Sequence, residues 1–547
     1  MILRTSFVAA VALLIFAPDA RAQDCSTPTL SGTIETDTTL SGDHVVTTIT
    51  FRDGALITVE PGTRFSMCPE GRFRVESDAQ ILALGTESDP ILFERAEAAE
   101  AWGEIELLAT ADPASTLEWI VARGGGGTDP DAIMGTISVL ATTLRGSAGP
   151  FLRDITIEDS GTYGIYARSQ DDDRTPPVLE RLTISGSANQ PVLLVTSTVD
   201  GLVGPHSFAG NAVETVLVLT GITLGGNVRH SMRFRDPGIP YQLSGGPLAI
   251  RGPELPVLTL EAGSEFLLEE DVNIFVGTNL DPLEAGGLRV EGTETNPVTF
   301  EAVDPALPWG EMRIFSEHLR TTLTWAELRN GGGPVGSGEA TIRLDDGGLR
   351  LENVLVAGSA NTGLYSPGVD GFVEIIGGAF ENNETGLFLD RALARIRGTR
   401  ISGNTVGLRT DRLDGECVDA VGVDWGASNG PAHTVEGDSA CSPGNAGSGD
   451  SVDDGVWYRP FAGASTLGFL IPRQSWVLAD GVRESEVVVR LFSATGAPLA
   501  GLSVELQTTL GEVVQPREVT NADGATIGWV RSPEAGRARI SATVNGD

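Results

Sequence analysis

The four cysteines carry the most definite chemistry in this 547-residue chain. They fall into two local pairs, Cys25 with Cys68 and Cys417 with Cys441. Four thiols permit three pairings, and proximity along the chain favours these two as disulfides. A metal site is the competing chemistry, but no Cys-x-x-Cys occurs and the five histidines are scattered. Clustered carboxylates would suit acid–base work or calcium. Asp171-Asp172-Asp173 and Asp345-Asp346 are such runs, and the first leads into Arg174-Thr175-Pro176-Pro177, which reads as a solvated loop. Asp450-Ser451-Val452-Asp453-Asp454-Gly455 has the composition of a calcium loop but lacks the alternating ligand spacing and the closing Glu. It reads as structural, and calcium is the one cofactor to weigh; none is expected. Trp102, Trp119, Trp309 and Trp325 would stack on sugars if exposed, yet they sit in alternating apolar segments, which places them in a core. No catalytic, cofactor-binding or metal-ligating residue is expected.

Charge narrows the partners. The net charge of −37 argues against nucleic acid and against bare anionic lipid, both of which need cationic surfaces. No lysine occurs, so Schiff-base chemistry is excluded. The N-terminus reads as a cleaved secretion signal over residues 1–22: Arg4, an apolar run from Phe7 to Ala17, then Ala20-Arg21-Ala22. The run is too short to anchor in a bilayer, and no later stretch has the ~18 uncharged apolar residues of a transmembrane helix.

The elements that must position these residues are repeated. Gly85-Thr86-Glu87-Ser88-Asp89-Pro90-Ile91-Leu92-Phe93-Glu94 returns as Gly292-Thr293-Glu294-Thr295-Asn296-Pro297-Val298-Thr299-Phe300-Glu301, and Trp102-Gly103-Glu104 as Trp309-Gly310-Glu311. Thr116-Leu117-Glu118-Trp119 returns as Thr322-Leu323-Thr324-Trp325, each followed by a glycine run. A shorter period lies inside. Gly-Leu pairs begin at Gly363, Gly386 and Gly407, steps of 23 and 21 residues, each after an Asn-containing turn. That is the length of one solenoid rung. Between turns run short alternating segments such as Ile57-Thr58-Val59, Phe73-Arg74-Val75 and Ile155-Thr156-Ile157, which predict half-buried strands. Ile57, Val59, Ile81, Ile155, Ile157, Leu364, Leu387 and Leu408 are expected in the core, and the stacked Asn residues are candidates for a hydrogen-bonded ladder.

These segments resemble the right-handed parallel β-helix of the pectate-lyase-like superfamily, in its secreted bacterial, non-catalytic-looking branch. The resemblance rests on Ala55-Leu56-Ile57-Thr58-Val59-Glu60-Pro61-Gly62-Thr63, on Ile81-Leu82-Ala83-Leu84-Gly85-Thr86, and on the closing Asp424-Trp425-Gly426-Ala427-Ser428-Asn429-Gly430-Pro431, Gly449-Asp450-Ser451-Val452 and Tyr458-Arg459-Pro460-Phe461. It covers roughly residues 30–462. After Pro472, Ala479-Asp480-Gly481, Gly496-Ala497-Pro498-Leu499, Thr520-Asn521-Ala522-Asp523-Gly524 and Ala535-Gly536-Arg537-Ala538-Arg539-Ile540 resemble the bacterial Ig-like domain of invasin and intimin. The expected fold class is therefore all-β: two β-helix repeats over 23–235 and 236–462, then an Ig-like β-sandwich over 468–547. The chain stops at Asp547, about where that family has one more strand, so the domain reads as incomplete or the chain as a fragment.

The superfamily includes lyases and hydrolases of acidic polysaccharides, which the resemblance keeps as the alternative. Its pectin-hydrolase signatures are missing: no Gly-His-Gly, no Asn-Thr-Asp, and no Asp-Asp beside a downstream Arg-Ile-Lys. The expectation is an exported structural or adhesive protein, at the cell surface or secreted, whose solenoid contacts extracellular glycans or surface proteins and whose Ig-like domain is a spacer. The disulfides are expected to seal the two ends of the solenoid. The exported protein should then titrate no free thiols, and opening either bridge should cost on the order of 3–4 kcal/mol in the chain-entropy account. Thiol titration with denaturant melts of Cys-to-Ser pairs checks both.

Overall fold

The computed structural model describes residues 25–544 except 97–99, 130–132, 142–148, 170–174, 222–226, 271, 279–283, 316–320, 334–339, 369–370, 412–416, 436–440, 443, 460, 463–466, 475 and 493–497. From Leu30 to Trp457 the strands are short and pair in parallel, apart from one antiparallel contact between Pro431–His433 and Asn445–Ala446. In the later rungs each turn of the coil gives one strand to each of three sheets. Ala379–Glu381, Thr385–Leu389 and Leu393–Arg397 make one such rung, and Arg400–Ser402, Val406–Arg409 and Val418–Asp419 the next. The chain is thus a parallel β-helix.

Strand alternation explains the filling. In Phe73–Val75 the outer two side chains are buried while Arg74 faces out. Parallel pairing in register then stacks like on like. Leu364 lies beside Leu387 and Leu387 beside Leu408. Tyr241, Phe266 and Phe300 line up in the same way, their rings stacked 5.5 and 5.2 Å apart. All eight side chains expected in the core are buried.

The duplicated segments do equivalent work. Trp102 and Trp309 are fully buried, and each indole N–H donates to a backbone carbonyl, Arg123 O at 2.8 Å and Arg329 O at 2.9 Å. The glycine runs give these rings room: a β-carbon on Gly125 or Gly331 would lie 2.7 or 2.8 Å from the indole. Trp119 and Trp325 correct the sequence reading. Both are half-buried rather than core, with φ of +53° and +47°. Each stands at a corner where a single left-handed residue bends the strand, with Asp154 and Arg181 stacked on the first and Asn353 on the second. The bend interrupts the alternation, so the side chain leaves the interior.

The Asn ladder exists, one position after the left-handed turn residues. Asn330, Gly358, Asn382 and Gly403 hold positive φ. The next residue then works inward. The Ser359 N–H donates to Asn383 Oδ1, the Asn383 N–H to Asn404 Oδ1, and the Asn404 N–H to Asp450 Oδ2, each at 2.9 Å. Disulfides Cys25–Cys68 and Cys417–Cys441 close the coil near its two ends.

The remaining strands are antiparallel. Leu467–Pro472, Ser485–Phe492, Ala525–Arg531 and Glu512–Val514 form one sheet in that order, and Val504–Thr508 pairs with Ile540–Val544 in a second. Val487, Val489, Leu491, Leu506 and Val530 lie among a separate core.

One histidine ties stability to pH. The Leu182 N–H donates to His206 Nδ1 at 3.3 Å, and the ring stacks on Phe208. Burial pushes the imidazole down to about 4. Because the folded value lies below the ordinary 6.5, the contribution is complete above pH 6.5 and is lost as pH falls toward 4. At roughly 1.4 kcal/mol per pH unit this amounts to at most about 3 kcal/mol. Urea melts between pH 7 and 4 should show this loss, and His206→Gln should flatten that part of the profile.

Candidate binding face

The carboxylates singled out from sequence prove to be occupied by the protein itself. Asp450 accepts from the Gly403 and Asn404 backbone N–H groups and from the Asn404 side-chain amide, the last at 2.7 Å. Asp453 accepts from the Thr410 N–H at 3.0 Å, and burial raises its carboxyl above the usual range. Asp454 lies 3.0 Å from His433 Nε2, whose Nδ1 is 3.2 Å from the buried Tyr458 hydroxyl. Asp346 turns back onto the Gly347 N–H. Asp171, Asp172 and Asp173 lie outside the described residues. Among the described residues no group of three His, Cys, Asp or Glu side chains has metal-holding geometry.

A different constellation emerges from the register. Ile274–Val276, Met312–Ile314, Ala340–Leu344, Thr362–Ser366, Thr385–Leu389 and Val406–Arg409 are consecutive strands of one sheet. Each strand gives one outward position, directly after a buried residue, that lines up with its neighbours. Pairing places Phe275 beside Arg313, Arg313 beside Arg343, Arg343 beside Tyr365, Tyr365 beside Phe388, and Phe388 beside Arg409. Strand alternation ordinarily gives such positions to small polar residues. Here six rungs, about 24 Å at the usual strand spacing, carry only arginine and aromatic side chains.

The row is internally bonded. Tyr365 and Phe388 stack with centroids 4.9 Å apart and 21° between planes. Arg343 covers the free face of Tyr365 at 5.3 Å, and Arg409 covers that of Phe388 at 4.5 Å. Arg313 lies 4.5 Å over Phe315, which meets Phe275 edge-on. Asp345 accepts from both Arg343, at 2.8 Å, and Arg313. Glu311, almost wholly buried, stands 3.6 Å from Arg313. Its counterpart in the first half, Glu104, is 3.1 Å from Arg72, and burial raises its carboxyl. The sequence treated the Trp-Gly-Glu carboxylates only as part of a repeat; both anchor arginines on an outer face.

The facing sides of Tyr365 and Phe388 are covered by each other and their outer sides by arginine, while Arg313 and Arg343 are only 21% and 13% exposed. Arg409 is the most available: it and its partner Asp411 are each 51% exposed and 3.4 Å apart. Such a surface pair contributes under about 1 kcal/mol, so an incoming acceptor can displace it. Sequence reasoning missed this row although its signal was present. Tyr365, Phe388 and Arg409 each follow the Leu of a repeated Gly-Leu pair.

Comparison with known proteins speaks to the other end of the chain. Residues 469–547 match the model of the bacterial Ig-like domain (group 1). The antiparallel sheets described above are that domain. No curated protein matches the chain. This match points to a bacterial surface or adhesion-type domain. With two disulfides, and no helix among the described residues long and apolar enough to cross a membrane, it fits an extracellular or surface protein.

Removing the ring at Phe388 breaks one stack and one cation–π contact, so Phe388→Ala should lower stability by about 1–2 kcal/mol. Arg409→Ala should cost under about 1 kcal/mol. Chemical denaturation of the two variants measures the difference.

Proposed function

We propose that this is an exported surface-contact protein of the pectate-lyase-like β-helix class, without catalytic activity. Its solenoid binds an extended extracellular partner, a glycan or a surface protein, and the Ig-like domain serves as spacer. The observation that carries the reading is the Arg/aromatic row: a line of hydrogen-bond donors and ring edges about 24 Å long suits a linear chain rather than a small molecule. Guanidinium groups recognise hydroxyl and carboxylate oxygens, and aromatic edges accommodate apolar sugar faces or side chains. The carboxylates nearest the row are engaged by arginine, which suits them to holding geometry. The −37 charge of the whole chain favours neutral or cationic partners and disfavours polyuronates unless a divalent cation bridges them.

One arrangement supports the alternative, a polysaccharide lyase or hydrolase: Arg313 and Arg343 share Asp345 beside Glu311 on a single sheet. A panel of neutral and acidic polysaccharides, with and without calcium, separates the two. The contact reading expects retention on at least one polymer or on a cell surface, weakened tenfold or more, about 1.4 kcal/mol, by Arg409→Ala at a stability cost of under about 1 kcal/mol. It expects no release of sugar ends. Turnover at an ordinary enzymatic rate, lost in Arg343→Ala, establishes the enzyme instead.

A further inference from the structure

The larger sheet of the Ig-like domain has an apolar core face and, on its outer face, an apolar patch between charged residues. Val487, Val489, Leu491 and Val530 point into the domain core. A sheet covered on one side ordinarily alternates to polar residues on the other. Here the outward positions carry Phe469, Ile471, Val488, Phe492, Ile527 and Trp529, with Glu486, Arg490 and Arg531 among them. Register sets them side by side: Ile471 pairs with Val488, Val488 with Ile527, and Glu486 with Trp529. Phe469, Ile471 and Ile527 are 47%, 48% and 38% exposed. An apolar patch of this kind marks an interaction site.

Charge identifies what covers it. Along the Ser485–Phe492 strand the outward residues run Glu486, Val488, Arg490, Phe492. Glu486 and Arg490 stand symmetrically about Val488, each about 6.6 Å away along the strand. Arg490 is exposed, and among the described residues no carboxylate lies within ion-pair distance of it. Glu486 stands 3.1 Å from the exposed Arg473 of its own chain, a surface pair worth under about 1 kcal/mol that leaves the carboxylate able to accept a second guanidinium. Consider a two-fold axis in the plane between two such sheets, crossing this strand at Val488. It sets the strand antiparallel to its own copy, with Val488 and Ile527 facing themselves at the centre. Arg490 then faces Glu486 of the second copy, and the pairing occurs twice. Sheets about 10 Å apart leave room for both side chains to meet. Self-complementarity of this kind is what a two-fold interface requires.

We propose that the protein forms a two-fold homodimer through this sheet face, centred on Val488 and Ile527 and registered by reciprocal Arg490–Glu486 pairs. The proposal is independent of the contact reading, because it concerns a different domain and a different partner. Sedimentation velocity of the full chain from about 1 to 100 μM tests it, a range that registers even micromolar association. A dimer is expected. Ile527→Asp should weaken it about tenfold or more while leaving the circular dichroism spectrum and thermal melt unchanged, since Ile527 lies outside the core. Arg490→Glu and Glu486→Arg should each weaken association, and the double variant should restore it, because the swapped charges again face their opposites. A monomer across the range overturns the proposal. So does a dimer indifferent to Ile527→Asp, or a double variant no tighter than the single ones.

Discussion

Everything placed on this solenoid depends on the in-register parallel ladder between rungs. A strand pairs with the strand one turn above it through backbone groups that carry no sequence information, yet the pairing fixes which side chain sits over which. A slip of one residue would turn every buried side chain outward. The interior resists that slip by stacking like on like: Tyr241 on Phe266 on Phe300, and Leu364 on Leu387 on Leu408. The outer face inherits the same register without having selected it, which is how six separate strands come to present one continuous row.

Stacking identical positions is hazardous for a chain with net charge −37, since in-register carboxylates would lie about 5 Å apart. Arginine resolves this locally. Glu118, Arg153 and Glu180 occupy one column, and Arg153 reaches both neighbours, at 3.5 and 3.0 Å. Arg74 bonds Glu106 one rung away at 2.7 Å, and Arg350 bonds Glu374. A planar guanidinium can donate to the rungs above and below at once, which an ammonium group does less well. The excess negative charge therefore falls largely on turns and loops.

Much of the fold was legible because its determinants are local and recur. Alternation identified the buried face of Ile57 and Val59, the Gly-Leu spacing gave the rung, and duplication of Trp102 at Trp309 marked equivalent structural positions. Trp119 and Trp325 were misread because periodicity cannot register a single left-handed residue, and a tryptophan in that conformation is chemically unexpected. What does betray the corner is a glycine one rung away. A β-carbon on Gly85 would come within 2.6 Å of the Trp119 carbonyl, and one on Gly292 within 2.1 Å of the Trp325 carbonyl. The candidate binding row was legible only at Tyr365, Phe388 and Arg409, which follow the repeated Gly-Leu pairs; Phe275, Arg313 and Arg343 carry no such mark. Its members are dispersed from Phe275 to Arg409, and only the register assembles them.

The Asn ladder has a direction. Each amide side chain accepts from the residue behind it and donates onward, and at Asp450 that relay stops, because a carboxylate accepts from Asn404 and has no N–H to pass forward. A rung inserted before Asn404 could join the relay by supplying another amide. A rung added after it would find the position already closed. Asp450 thus acts as a terminator written into the coil, setting its length from one end, and any growth of the solenoid by duplication has to take place upstream.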